Sequence, residues 1–139
     1  MCLDSIVLGD WREGYPKGTY TTNGNIPKTN PNAAVSNDLF NLTVPGTLKF
    51  HSKKISFIHM DCDLYSSTKY ALIESRPYLD EGCIIVFGAF LNYAGYDGDN
   101  GALRAFYEFV RRYEVEFEGA DSSDGAKHRI YYLCKASFM

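Results

Sequence analysis

No stretch of the 139 residues is basic enough to neutralise a run of phosphates. Lys53-Lys54 and Arg111-Arg112 are isolated pairs, and the formal net charge is −3. That balance argues against a nucleic-acid partner. Long apolar runs are missing too: the longest, Cys83-Ile84-Ile85-Val86-Phe87, is far short of a membrane span. The first residues show no basic segment followed by an apolar one, so we expect a cytoplasmic protein. The four cysteines, Cys2, Cys62, Cys83 and Cys134, lie far apart without a C-x-x-C spacing. They read as reduced, and the three inside strand-like segments as small buried hydrophobes. His51, His59 and His128 are single, with no partner at ligand spacing. Ser66-Ser67 and Ser122-Ser123 lack the strand–turn–helix setting of a hydrolase nucleophile. There is no internal repeat, and Asn41-Leu42-Thr43 is read as a chance glycosylation match.

What remains is an ordinary globular profile, 45% hydrophobic and 22% charged, enough for one domain with a substantial core. We read residues 1–139 as that domain, with a loop-rich segment 1–40 and an α/β core 41–139. Residues 9–33 hold four glycines and three prolines, including the turn-prone run Thr22-Asn23-Gly24-Asn25. Ala34–Phe40 suits a short strand, and Thr43-Val44-Pro45 a helix entry with Thr43 as N-cap. Ile55–Met60 is β-rich and apolar at most positions, the pattern of a parallel strand covered on both faces. Asp63–Arg76 reads as a helix closed by a turn at Gly82, Cys83–Phe87 as a second buried strand, and Ala102–Tyr113 as a helix. That helix places Leu103, Phe106, Tyr107 and Val110 on one side. Glu114–Glu118 and Arg129–Cys134 read as strands joined by the Gly/Asp/Ser-rich segment 119–126 into an antiparallel hairpin.

Within this order some residues resemble a family. Asp61-Cys62-Asp63-Leu64-Tyr65-Ser66-Ser67-Thr68, following Ile58-His59-Met60, resembles the DxDLYxST motif of macrocin-type sugar O-methyltransferases. Leu79–Phe87 is similar to that family's helix end, glycine turn and fifth strand. Leu3-Asp4-Ser5 with Gly9, Asp10 and Trp11 resembles its FDSFxGLP segment. The resemblance implies a class I S-adenosylmethionine (SAM) methyltransferase fold, Rossmann-like, of which this chain would hold the fourth to seventh strands in a mixed sheet. It implies that Asp4 receives the cofactor's ribose hydroxyls. It also implies that Asp61, at a strand end, binds Mg²⁺ or serves the acceptor hydroxyl as a catalytic group. Strand C-termini of open α/β sheets are where ligands collect, and a hard divalent ion there wants clustered oxygens. Capping of the following helix is the plainer role for Asp61, and more so for Asp63.

The departures from the family pattern are specific. Where the family carries an acidic pair after its fifth strand, as in VFDEF, this chain reads Val86-Phe87-Gly88-Ala89-Phe90. Gly88 and Ala89 bring no donor atoms, so Asp61 alone would face the ion. No G-x-G-x-G pattern is present for SAM. Asp97-Gly98-Asp99-Asn100-Gly101 with Glu108 imitates a calcium loop, but Ala102 stands where that loop needs glycine. The tyrosines Tyr93, Tyr96, Tyr107, Tyr113, Tyr131 and Tyr132 are read as aromatic packing on the sheet.

The expectation is therefore a truncated methyltransferase-like protein, related to SAM-dependent O-methyltransferases of small hydroxylated, sugar-type acceptors and not catalytic on its own. SAM binding would be weak or lost, and the Mg²⁺ site vestigial. Two alternatives stay open: an active methyltransferase completed by oligomerisation, and a self-associating interaction module without enzymatic activity. A small-molecule ligand is compatible with all three. A homodimer is expected because Ile55–Met60 offers an apolar edge unblunted by lysine, proline or a bulge. Ala34–Phe40 or residues 2–8 folding over that edge would be the solution within one chain.

Overall fold

The computed structural model describes residues 23–62, 64–88, 101–120 and 129–136, with residues 120 and 129–136 as backbone alone. Elements follow in the order α1 (Phe40–His51), β1 (Ile55–Met60), α2 (Tyr65–Ser75), a 3₁₀ turn (Arg76–Tyr78), β2 (Leu79–Phe87), α3 (Gly101–Tyr113), β3 (Val115–Ala120) and β4 (Arg129–Ala136). The sheet runs β1-β2-β4-β3. β1 and β2 are parallel, while β4 lies antiparallel between β2 and β3. This is an α/β architecture with a mixed sheet.

The core lies on one face of that sheet. In the β1–β2 register Ile58 stands beside Ile85 and Met60 beside Phe87. These side chains meet Leu72 of α2 and Phe106 and Phe109 of α3 in one cluster. Phe106 is the hub, edge-on to Phe87 at 5.3 Å and to Phe117 at 5.2 Å between ring centroids. Aromatic pairs in this geometry gain beyond the area they bury. On the other face Phe57 stands beside Ile84, and His59 beside Val86.

That second face corrects one expectation. Ile55–Met60 is not covered on both sides by the described residues: Phe57 is 57% exposed, Ser56 and His59 are exposed, and only Met60 is buried. The strand is an edge with one neighbour, so half of its surface meets no other described element. Apolar continuity in the sequence signalled cover on both faces, and the described residues cover one.

Three local expectations also change. Ala34–Phe40 forms no strand. The chain stays irregular to Leu39 and α1 begins at Phe40, upstream of the expected Thr43 cap. Asp38 Oδ1 accepts the Leu39 N–H at 2.8 Å, and the Thr43 hydroxyl turns back to the Leu39 carbonyl at 3.2 Å. Pro45 consequently sits inside the helix rather than in its first turn. Helix α2 is shorter than 63–76, because Pro77 has no N–H to give and the last turn tightens to 3₁₀. Gly82 does not close a turn before the strand. It lies within β2 at φ +78°, where the register jumps from Ile55–Leu79 to Phe57–Ile84, a bulge in the left-handed region that favours glycine.

Candidate functional site

The C-terminal ends of the two parallel strands place Asp61 and Gly88 side by side. Gly88 N–H donates to the Met60 carbonyl at 3.0 Å, carrying the ladder one step past Phe87. Asp61 follows immediately after β1 and is exposed. A Cβ built on Gly88 would lie 2.9 Å from Asp61 Cγ and closer still to its Oδ1. The carboxylate therefore fills the space that any larger residue 88 would need.

The rest of the strand-to-helix turn is held from within. Thr68 is fully buried, and its hydroxyl donates to the Cys62 carbonyl at 3.2 Å. The Thr68 N–H reaches the Leu64 carbonyl at 3.1 Å. Cys62 and Leu64 point into the core at 4% and 3% exposure. Cys62, Leu64, Ser67 and Thr68 are thus buried where strand passes into helix, and Asp61 is exposed. The residue at the N-cap of α2 is Leu64, in an extended conformation and with no side-chain cap bond of its own. Asp63 and Asp4 lie outside the described residues, as do Ala89, His128 and the segment 97–100.

Sequence reasoning missed a polar cluster between α2 and α3. The Tyr65 hydroxyl donates to Glu108 Oε2 at 2.5 Å, and Lys69 Nζ donates to the Tyr65 oxygen at 2.5 Å and to Glu108 Oε2 at 2.9 Å. Arg104 Nε donates to Glu108 Oε1 at 2.9 Å. Both cations also sit 4.9 Å from the Tyr65 ring centre. The Tyr65 bond foremost, then those from Lys69 and Arg104, hold the Glu108 carboxyl down at about 2. The Tyr65 and Glu108 bonds raise Lys69 in turn. The signal was present as two i,i+4 spacings, Tyr65/Lys69 and Arg104/Glu108, but their meeting across two helices is tertiary. Glu108 is committed to this cluster, which removes it from any calcium loop. Burial pushes the Cys83 thiol up to about 11, with Asp80 adding to the rise, as suits a packed rather than a reactive cysteine.

No group of three or more His, Cys, Asp or Glu side chains able to hold a metal occurs among the described residues. Among the described residues the neighbour of Asp61 across the strand ends is Gly88, which brings no oxygen from a side chain, whereas Mg²⁺ wants clustered oxygens. No helix of the described residues is long and apolar enough to cross a membrane.

No family model matches the sequence, and no curated protein matches it. Among solved structures the chain is similar to the crystal structure of CalS11, a calicheamicin methyltransferase, at 25% identity and a TM-score of 0.43. The match covers 66% of this chain and 33% of that one, so this chain spans about a third of its length. A TM-score of that size does not by itself establish a common fold.

Proposed function

We propose that this chain is a methyltransferase-like protein, related to SAM-dependent O-methyltransferases of small hydroxylated, sugar-type acceptors, that does not transfer methyl groups on its own. The observation that carries the reading is Asp61 against Gly88. The described residues of the D-x-D-L-Y-x-S-T segment, Asp61–Cys62 and Leu64–Thr68, run from the end of a parallel strand into the next helix, the place where α/β sheets collect ligands. The sheet then ends with an antiparallel pair on a parallel one, the ending that the sequence resemblance implies. Against catalysis stands the chemistry of the strand ends. A metal-assisted methyl transfer needs a clamp of oxygens to lower the acceptor hydroxyl's pKa, and here one carboxylate abuts a bare Cα. Asp61 retains the capacity to accept a hydrogen bond from a hydroxylated ligand. Recognition of SAM itself rests on the resemblance around Asp4.

Calorimetric titration of the chain with SAM, with and without Mg²⁺, tests the reading. We expect no saturable binding at low micromolar SAM and no change on adding the ion. Tight SAM binding that Mg²⁺ strengthens would overturn it.

A further inference from the structure

Helix α2 carries the chain back from Asp61 to the opposite end of the parallel strands, where cations gather. The basic pairs Lys53-Lys54 and Arg111-Arg112, isolated in the sequence, each contribute one residue there. Lys54 precedes β1, and its Nζ donates to the Pro77 carbonyl of the 3₁₀ turn at 3.4 Å. Tyr113 ends α3, with the Arg76 guanidinium 4.5 Å and that of Arg112 5.5 Å from its ring centre. Between this turn, α1 and the end of α3 lies a cleft of about 370 Å³, within the range of small-molecule sites. Lys49 and Arg76 line it, with Glu74 and Tyr78 beside them. A smaller cavity of about 60 Å³, lined by Arg112, shares Ile73 and Tyr113 with it as walls.

Helix C-termini favour cations, and Lys49 and Arg112 lie in the last turns of α1 and α3. That placement accounts for the two residues without neutralising them. Among the described residues no carboxylate stands within ion-pair distance of Lys49, Arg76 or Arg112, whereas Lys69 and Arg104 are both held by Glu108. Tyr78 is half-buried, and among the described residues its ring meets no other ring or cation and its hydroxyl makes no hydrogen bond. An uncommitted aromatic ring beside two uncommitted cations is the complement of a ring that carries an anion.

We propose that this cleft binds a small organic phosphate that carries an aromatic ring, a molecule of mononucleotide size. Arg76 and Lys49 hold the phosphate. The planar donors of a guanidinium match phosphate oxygens in pairs, and the ammonium adds a point charge. Contact with the Tyr113 ring fixes Arg76 in advance, so less freedom is lost on binding. Tyr78 takes the ligand's ring against its own, with Pro45 and Pro77 as walls of restricted backbone. Glu74 is the one carboxylate among the described lining residues. It keeps the phosphate to the side of the cations and accepts from a hydroxyl of the ligand. The cleft lies at the far end of β1 from Asp61, and the inference does not rest on the chain binding SAM.

Amide chemical shifts of the unmodified chain, followed as AMP, inorganic phosphate and adenosine are added in separate titrations, test the proposal. AMP saturates below about 1 mM, moving the amides of Lys49, Arg76, Tyr78 and Tyr113 and leaving those of Asp61 and Gly88 in place. Phosphate alone and adenosine alone each bind about tenfold more weakly, and raising the salt about tenfold weakens AMP further. Arg76→Gln costs AMP about tenfold in affinity, and Tyr78→Leu weakens AMP while leaving phosphate unchanged. No saturation by about 10 mM AMP would overturn the proposal. So would shifts centred on Asp61 and Gly88, or adenosine or phosphate binding as tightly as AMP. The three titrations use the unmodified chain and stand even if a variant fails to fold.

Discussion

Gly88 has no side chain because Asp61 already occupies its place: a Cβ at residue 88 would lie 2.9 Å from Asp61 Cγ but 3.5 Å from Asp61 Cβ. The first distance is a clash and the second an ordinary contact, so the two positions are coupled through the carboxylate alone. We expect Gly88→Ala to destabilise by about 1 kcal/mol, as Asp61 is driven off its rotamer. Adding Asp61→Ala should abolish most of that loss. Urea denaturation of the four proteins in the double-mutant cycle measures the coupling.

Restoring acids after β2 tests the metal reading directly. Millimolar Mg²⁺ should leave the melting temperature of the unmodified chain unchanged, since one carboxylate beside a glycine offers no cage. Gly88→Asp with Ala89→Glu should create a Mg²⁺-dependent rise. A rise of several degrees in the unmodified chain would contradict the assignment.

Glu108 makes a pH prediction. Its folded carboxyl sits at about 2 against an ordinary 4.5, so the folded state binds its proton less readily than the unfolded state. That contribution to stability is complete above pH 4.5 and is lost as pH falls toward 2. With 38% of the side chain exposed, solvent screening holds the contribution to about 1 kcal/mol. Glu108→Gln should remove this part of the acid dependence, read from unfolding free energies across that window, and leave the rest of the curve in place.

The core makes a larger one. Phe106 has no exposed surface and its ring contacts Phe87, Tyr107 and Phe117. Phe106→Ala should cost about 3–5 kcal/mol, a large share of the stability of a domain this size. Thr68→Val, which keeps the shape but strands the Cys62 carbonyl, should cost about 1–3 kcal/mol. Denaturant midpoints rank the two.

The parts of this fold that were legible in the sequence are those with strong periodicity. Helix α3 and β3 lie within a residue or two of where Leu103, Phe106, Val110 and the alternation of 114–118 put them. The same signal misplaced α1, where a threonine followed by Pro45 imitates a helix entry while the backbone turn begins upstream at Leu39. It also overstated the burial of β1, because an apolar run records what a strand can pack against and not how many of its faces are covered. At the candidate site, the strand-end position of Asp61 was legible from the D-x-D-L-Y-x-S-T pattern. Its contact with Gly88 and the Tyr65–Lys69–Arg104–Glu108 cluster were not, since both join residues far apart in sequence.

The bulge at Gly82 has a bearing on how this chain tolerates change in length. Between Ile55 and Phe57 the first strand advances two residues while β2 advances from Leu79 to Ile84. The extra residues of 80–83 are accommodated without changing the face that β2 turns to the core, since Leu79, Cys83, Ile85 and Phe87 all lie in it. Removing one residue from that stretch would invert the alternation that follows and turn Ile85 and Phe87 onto the uncovered face. Removing two would keep the alternation and shorten only the bulge. Natural variation in this segment should therefore come in steps of even length, a parity rule written into the backbone by a single left-handed glycine.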